Sequence, residues 1–310
     1  MVYKDRESLR PKGLALCSRA LFAFLFVFFF SCKSVPTPEK FYAGRTDPFT
    51  VTAEGAELYF AALLPAARPL IEKMTLGSIS GAAAGDFIDH AGMIIAAVYP
   101  EHSPRRFIGA AQGKFPSARG GIYMSGSRDW EKAVSASGIE YWRSGASNLS
   151  LYLGARRVFF SDGDPFAPPP GAVSPAALDG LKRNAVLYGW LENAGESLDK
   201  IIASLGVPLS VPAQKLLFAV YPAGSEEDAY RAVLRLETPG VSQAMALTRI
   251  LGMAAAGLAG ADLSAYREFE SVARALFGGS FEQSGDAVII TTMTLRSGEL
   301  ALLFTTLTLY

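Results

Sequence analysis

Two residue types that carry much of protein chemistry are scarce in this 310-residue chain. It has two cysteines, Cys17 and Cys32, and two histidines, His90 and His102. Because no cysteine follows residue 32, the rest of the chain offers no thiolate for a structural zinc, an iron–sulfur cluster or a cysteine nucleophile. A body without thiols is typical of an oxidising or extracytoplasmic compartment.

The chain also lacks a surplus of either charge. Lys and Arg number 29 and Asp and Glu number 29, so the formal net charge is zero. Phosphate backbones and anionic lipid surfaces attract proteins through an excess of positive charge. The sequence therefore predicts no nucleic-acid partner. With half of its residues hydrophobic, the chain can bury one large or two medium domains.

The N-terminus has the pattern of an export signal. Residues 1–20 contain five basic and two acidic side chains, and residues 20–31 form an unbroken apolar run, ALFAFLFVFFFS. As a helix this run would be about 18 Å long, shorter than the roughly 30 Å hydrocarbon core of a bilayer. The pattern predicts a signal peptide over residues 1–31 rather than a membrane span.

The end of that run, FFFSC, resembles the lipobox of bacterial lipoproteins. Ser31 is the small residue before the cleavage point, while the bulky Phe29 and Phe30 resemble the relaxed lipoboxes of spirochaete lipoproteins. The resemblance implies that Cys32 is acylated, becomes the mature N-terminus and is anchored in a membrane of the cell envelope. The alternatives are an uncleaved signal anchor and an ordinary secretory signal with an incidental cysteine.

Two proline-containing segments divide the remaining chain. KSVPTPEK, directly after Cys32, predicts an extended tether. Lys33 does not resemble the inner-membrane retention signal of enteric lipoproteins, which favours the outer membrane. APPPGAVSP predicts a stiff polyproline joint. The predicted boundaries are a lipidated N-terminus and tether over 32–50, a first lobe over 51–166, the joint over 167–182 and a second lobe over 183–310.

Short identities between the lobes predict an internal duplication. AVYP occurs at residues 97–100 and 219–222, each time after an apolar run and before a polar turn, as in a β-hairpin. Each lobe also begins with a Leu-Tyr strand followed by a helix. The predicted unit is β-α-β-β-α-β-β, used twice. It gives an α+β fold with antiparallel sheets and with helices packed on one face.

Further elements complete each predicted unit. In the first lobe a helix begins near Ser127 and a hairpin turns at Gly154. In the second lobe two helices cover residues 242–259 and 264–277, and a final hairpin turns at Ser297.

Few residues indicate chemistry. His90 could be a metal ligand or a base, but a solvated loop is the commoner explanation because no second histidine stands at ligand spacing. Trp130, Tyr141 and Trp142 could stack on a sugar or a peptide, although core packing is favoured. The sequence has no nucleophile elbow, phosphate-binding loop or HExxH motif, and it predicts no cofactor and no metal.

The sequence thus favours a non-enzymatic binding or scaffold module of the cell envelope, with any ligand held between the lobes. Its partners would be the membrane and either envelope proteins or a small apolar ligand. One alternative is an envelope-polymer hydrolase, which needs two Asp or Glu carboxylates facing each other at roughly 5–10 Å. Another is a lipid or lipoprotein carrier, which needs a large apolar groove.

Replacing Cys32 by serine is expected to abolish lipid attachment, because the acyl-bearing group is joined to the cysteine sulfur. In cells fed labelled palmitate, the natural chain should take up label, and globomycin should cause an unprocessed precursor to accumulate. Cys17→Ser is the matched control and should keep the label. Label that persists in Cys32→Ser would contradict the lipoprotein prediction.

Overall fold

The computed structural model describes residues 47–75, 89–100, 103, 106–145, 148–166, 172–204, 210–224, 228–258 and 267–309. The predicted signal peptide, Cys32, His102 and most of the tether lie outside these residues. The strands are β1 (Leu58–Leu63), β2 (Ala91–Val98), β3 (Phe107–Gly113), β4 (Trp130–Val134), β5 (Glu140–Ser144), β6 (Leu149–Leu153), β7 (Arg157–Ser161), β8 (Leu187–Glu192), β9 (Lys215–Pro222), β10 (Ala229–Glu237), β11 (Ser280–Ser284), β12 (Ala287–Thr291) and β13 (Leu295–Arg296). The helices are α1 (Leu64–Thr75), α2 (Ser117–Gly126), α3 (Leu178–Leu181), α4 (Ala194–Ser204), α5 (Val241–Leu258), α6 (Arg267–Phe277) and α7 (Ser297–Leu309), with a 3-10 turn at Pro48–Val51.

All of these strands belong to one antiparallel sheet. Its order is β11-β12-β10-β9-β8-β1-β2-β3-β7-β6-β5-β4, and β13 pairs with β10. The two predicted lobes meet in the middle, where β1 and β8 pair from Leu58↔Leu191 to Ala62↔Leu187. We call this pairing the seam. Backbone hydrogen bonds therefore join the halves at the place where the sequence suggested a cleft between lobes.

The halves on either side of the seam follow the same local order. A strand, a helix and a hairpin succeed one another as β1-α1-β2-β3 and again as β8-α4-β9-β10. The AVYP segments lie at the ends of β2 and β9, and each of these strands forms the predicted hairpin with the next. The α+β class is confirmed, whereas a common origin of the halves stays a prediction.

Two elements were predicted wrongly. Ser127 ends a helix instead of beginning one, since α2 stops at Gly126 and β4 starts at Trp130. The segment at Ser297 is not a hairpin turn but the start of α7, and the last hairpin of this half is β11–β12, which turns at Gly285. The helices predicted at 242–259 and 264–277 are present as α5 and α6.

Side chains near its first turn explain why α7 is a helix. The Glu299 carboxylate accepts the N–H of Arg296 at 2.7 Å, and Asp228 accepts the N–H of Ser297 at 3.1 Å. Both carboxylates satisfy backbone donors that a helix leaves free at its N-terminus. Asp228 is distant in sequence, so its contribution depends on the folded sheet.

Alternation of side chains gives the sheet two apolar faces. On β8, Leu187 and Leu191 point towards the helices, whereas Tyr188 and Trp190 point to the opposite face. Residues of α1, α4, α5, α6 and α7 pack into the first core, and α2 packs on the same side next to β6. The 3-10 turn and α3 cover the opposite face near the seam.

Residues 47–53, which we call the strap, hold the chain to the centre of the sheet. Asp47 accepts both the N–H and the hydroxyl of Ser174, at 2.9 and 2.6 Å. The carbonyl of Thr52 accepts the N–H of Ala172 at 3.1 Å. The ring of Phe49 meets Trp190 edge to face, with 4.6 Å between centroids. The predicted tether thus ends at the seam, not at a sheet edge.

Gly189 lies where the seam is tightest, and Gly189→Ala is expected to destabilise the fold by about 2–3 kcal/mol. An added Cβ would stand 2.0 Å from the Tyr59 carbonyl oxygen and 2.8 Å from the Phe218 ring. Gly252→Ala is the matched control, because its Cβ would meet nothing within 4 Å. The control should stabilise α5 by about 0.5–1 kcal/mol. Urea unfolding midpoints measure both changes, and equal midpoints would contradict the close approach.

Candidate functional site

The aromatic site predicted from the sequence is divided by the pleat of the sheet. Trp130 and Trp142 lie on the helix side, where both pack against the core that contains Leu149. Tyr141 points to the opposite face, is 9% exposed and belongs to the core that contains Trp190. Trp130 pairs with Ser144, so the two tryptophans occupy diagonal positions on β4 and β5. The three rings do not form one stacking surface.

Trp142 and His90 both have contacts within the protein. Lys132 lies over the Trp142 ring, 5.8 Å from its centroid, and pairs with Glu140 at 3.0 Å. His90 is half-buried directly before β2, and its carbonyl accepts the N–H of Lys114 at 2.9 Å. Among the residues that the structure describes, no three His, Asp or Glu side chains are grouped to hold a metal ion.

A depression that the sequence did not predict opens at one end of the seam, on the side of the strap. Its volume is about 440 Å³. Its residues come from the segment that follows the strap, from β1 and β8, and from the ends of two loops. The lining consists of Glu54, Gly55, Ala56, Glu57, Tyr59, Pro100, Ala172, Val173, Trp190, Glu192 and Asn193.

Two stacked aromatic rings form the inner wall of the depression. Tyr59 and Trp190 pair across the seam, and their rings are 4.3 Å apart at an angle of 16°. The Tyr59 hydroxyl accepts the N–H of Ala56 and donates to the carbonyl of Ala53, both at 3.0 Å. Burial raises the pKa of Tyr59, and the nearby carboxylate of Glu192 raises this pKa further.

The carboxylates around the depression differ in what they contact. Glu192 accepts Trp190 Nε1 at 2.9 Å and pairs with Lys215 Nζ at 2.9 Å. Glu54 and Glu57 are exposed at the rim. The depression is therefore acidic, but the carboxylate nearest its inner wall is held by two partners of its own. This arrangement of Trp190, Glu192 and Lys215 stabilises the seam.

Helix α5 has an apolar exposed surface. It has 18 residues and one charged side chain, Arg249. Within the described ranges it is the one helix whose length and composition would allow it to cross a membrane. At 1.5 Å per residue it is about 27 Å long. It contacts β11, β12 and α6, so it lies on the sheet at one end of the molecule.

The buried and exposed residues of α5 lie on opposite sides of the helix. Ala244 and Leu247 are fully buried in the helix-side core. Val241 is 52% exposed, Met245 40% and Met253 67%. We call the exposed side the α5 face. Its residues are Val241, Ser242, Gln243, Met245, Ala246, Arg249, Gly252, Met253, Ala256 and Gly257.

Comparison with known proteins identifies the fold but no family. No family model matches the sequence, and no curated protein is detectably similar to it. Crystal form III of the protein TP0453 has a TM-score of 0.57 at 16% identity, covering 84% of this chain and 99% of the other. Crystal form I of TP0453 has a TM-score of 0.55 at 17% identity, covering 85% and 98%. At such identities the likeness concerns the fold alone.

Replacing Tyr59 by phenylalanine is expected to cost about 1–2 kcal/mol, because the buried N–H of Ala56 loses its acceptor. The folded state raises the pKa of Tyr59 above its ordinary value of 10.0. The tyrosine therefore contributes its stability below pH 10, and this contribution is lost as the pH rises through the folded-state pKa. The free energy of unfolding, measured in urea at pH 8 and at pH values above 10, should fall less steeply with pH in Tyr59→Phe than in the natural chain. An unchanged slope would contradict this account.

Proposed function

We propose that this chain is a lipid-anchored protein of the bacterial cell envelope whose body is a non-enzymatic binding module that rests its α5 face on a lipid surface. The lipobox resemblance at Cys32 supports the anchor. The observation that carries the lipid contact is the exposure of Val241, Met245 and Met253 on a helix with a single charge. The outer membrane is the preferred location, as Lys33 indicates.

The α5 face differs from the exposed side of an ordinary surface helix. Surface helices carry charged and polar residues opposite their buried stripe. Helix α6 follows that rule, with Glu270 and Arg274 forming an exposed ion pair at 2.9 Å. On the α5 face, Arg249 is the one charge among ten exposed residues. An apolar partner would remove this surface from water.

The size of the α5 face favours a lipid surface over a second protein. The helix is about 27 Å long and about 10 Å wide, so the face covers roughly 270 Å². A stable protein–protein interface buries about 800 Å² on each partner. A bilayer needs no matching partner surface, since a single amphipathic helix binds by lying in the interface with its apolar side inserted.

The predicted tether gives the body access to the membrane. Residues 33–46 separate the acylated cysteine from the strap, and 14 extended residues span at most about 50 Å. The anchor keeps the strap within that distance of the bilayer and the rest of the body close to it, which raises the effective concentration of lipid around α5. A modest affinity of the α5 face is therefore sufficient for lasting contact.

The two alternative functions find less support in the geometry. The acidic depression is where a hydrolase would act, but Glu192 is occupied by Trp190 and Lys215. A carrier would need a large apolar groove, whereas this depression carries three glutamates. The cores on both faces of the sheet are filled by buried side chains. These observations favour a binding module.

Met253→Glu is expected to weaken lipid binding at least tenfold, because burying a methionine side chain contributes about 1.5–3 kcal/mol. The measurement is flotation with phosphatidylcholine vesicles, using the chain from Lys33 onward, which keeps every described element and lacks the acyl group. Val173→Glu is the matched control, since Val173 is 74% exposed at the depression. The control should bind like the natural chain. Equal binding by all three proteins, or none by the natural chain, would overturn the proposed contact.

A further inference from the structure

We infer that the α5 face recognises an uncharged lipid surface, so that loose packing of the lipid headgroups, not anionic charge, determines which membrane it binds. This inference rests on the proposed function, because it concerns the lipid class that the same face contacts. The charges around α5 and the sizes of its exposed side chains carry it.

The charged residues near the α5 face do not form the excess of positive charge that would attract anionic lipids. Arg249 is the single charge of α5. The sequence of α6 contains two arginines and two glutamates, and its Glu270 pairs with Arg274 at 2.9 Å. Among the described residues of α5 and α6, no basic cluster lies beside the α5 face.

The position of Arg249 is compatible with a lipid interface, but this single cation gives little preference for anionic lipids. Its guanidinium Nη2 lies 3.5 Å from the sulfur of Met245, and Met245 and Met253 stand one turn before and one turn after it. A long arginine side chain can keep its charged end at the headgroups while its neighbours insert. One cation near an anionic surface contributes about fivefold in affinity, whereas a cluster of six would contribute more than a thousandfold.

The sizes of the exposed side chains indicate shallow insertion. Met245, Met253 and Val241 are the bulky members of the α5 face, and methionine adapts its shape to irregular gaps. Gly252, Ala256 and Gly257 add little volume to the C-terminal part of the face. Because a single cation adds little attraction, binding depends mainly on the inserted apolar area. Insertion opens the headgroup layer, which costs less where lipids are unsaturated or strongly curved.

The test measures partition of the unacylated chain from Lys33 onward into four kinds of vesicle. These are small and large vesicles of unsaturated phosphatidylcholine, large vesicles of saturated phosphatidylcholine, and large unsaturated vesicles with one quarter phosphatidylglycerol. We expect at least tenfold stronger binding to the small unsaturated vesicles than to the saturated ones. Phosphatidylglycerol should change binding by no more than fivefold, and a rise in salt from 0.1 to 0.5 M should change it little.

A variant with two added cations shows that the assay detects electrostatic binding. Ser242 and Ala246 are exposed on the α5 face, and Ser242→Lys with Ala246→Lys should raise the preference for phosphatidylglycerol about 25-fold and make it salt-sensitive. Binding of the natural chain that requires phosphatidylglycerol, or that falls steeply with salt, would overturn the inference and leave the lipid contact standing. Equal binding to saturated and unsaturated vesicles would also overturn it. Binding to none of the vesicles would overturn the proposed function as well.

Discussion

In the middle of the sheet, β1 and β8 pair over five residues, and the chain approaches itself there more closely than a side chain would permit. A Cβ on Gly189 would stand 2.0 Å from the Tyr59 carbonyl oxygen. The same pairing stacks Tyr59 on Trp190 and brings the strap against both rings. This pairing joins the two halves into one folded body. The cores on both faces of the sheet and the acidic depression all depend on it.

Local patterns in the sequence were sufficient for much of the fold. The two AVYP hairpins, the hairpin at Gly154 and the helices α5 and α6 all follow from turn residues and apolar periodicity. The seam was not predictable, because it joins strands more than 120 residues apart and no local pattern indicates which strands pair. The start of α7 was missed because its Thr, Leu and Phe residues also suit a strand. The decisive cap from Asp228 comes from another part of the chain.

The candidate sites show the same division between local and distant information. Trp130, Tyr141 and Trp142 are close in sequence, yet the strand pleat places Tyr141 on the opposite face from the tryptophans. The α5 face was predicted as a helix but not as exposed, since exposure depends on which side packs on β11 and β12. Gly252 and Gly257 each cost about 1 kcal/mol in a helix. Two glycines on the exposed side of α5 lower the stability of the helix, which suggests that this side was selected for binding and not for folding.

The position of the strap determines where the proposed lipid anchor is attached to the sheet. Asp47 and Phe49 attach the tether beside the seam, close to the midpoint of a sheet twelve strands wide along its main path. In the proposed arrangement, the anchor would therefore pull on the middle of the sheet and not on one of its edges. From β8 to β11 there are four strand spacings of about 4.8 Å, which make a lever arm of roughly 19 Å. In the proposed arrangement, a weak contact of the α5 face with lipid at the end of that arm would fix the tilt of the whole sheet against the membrane.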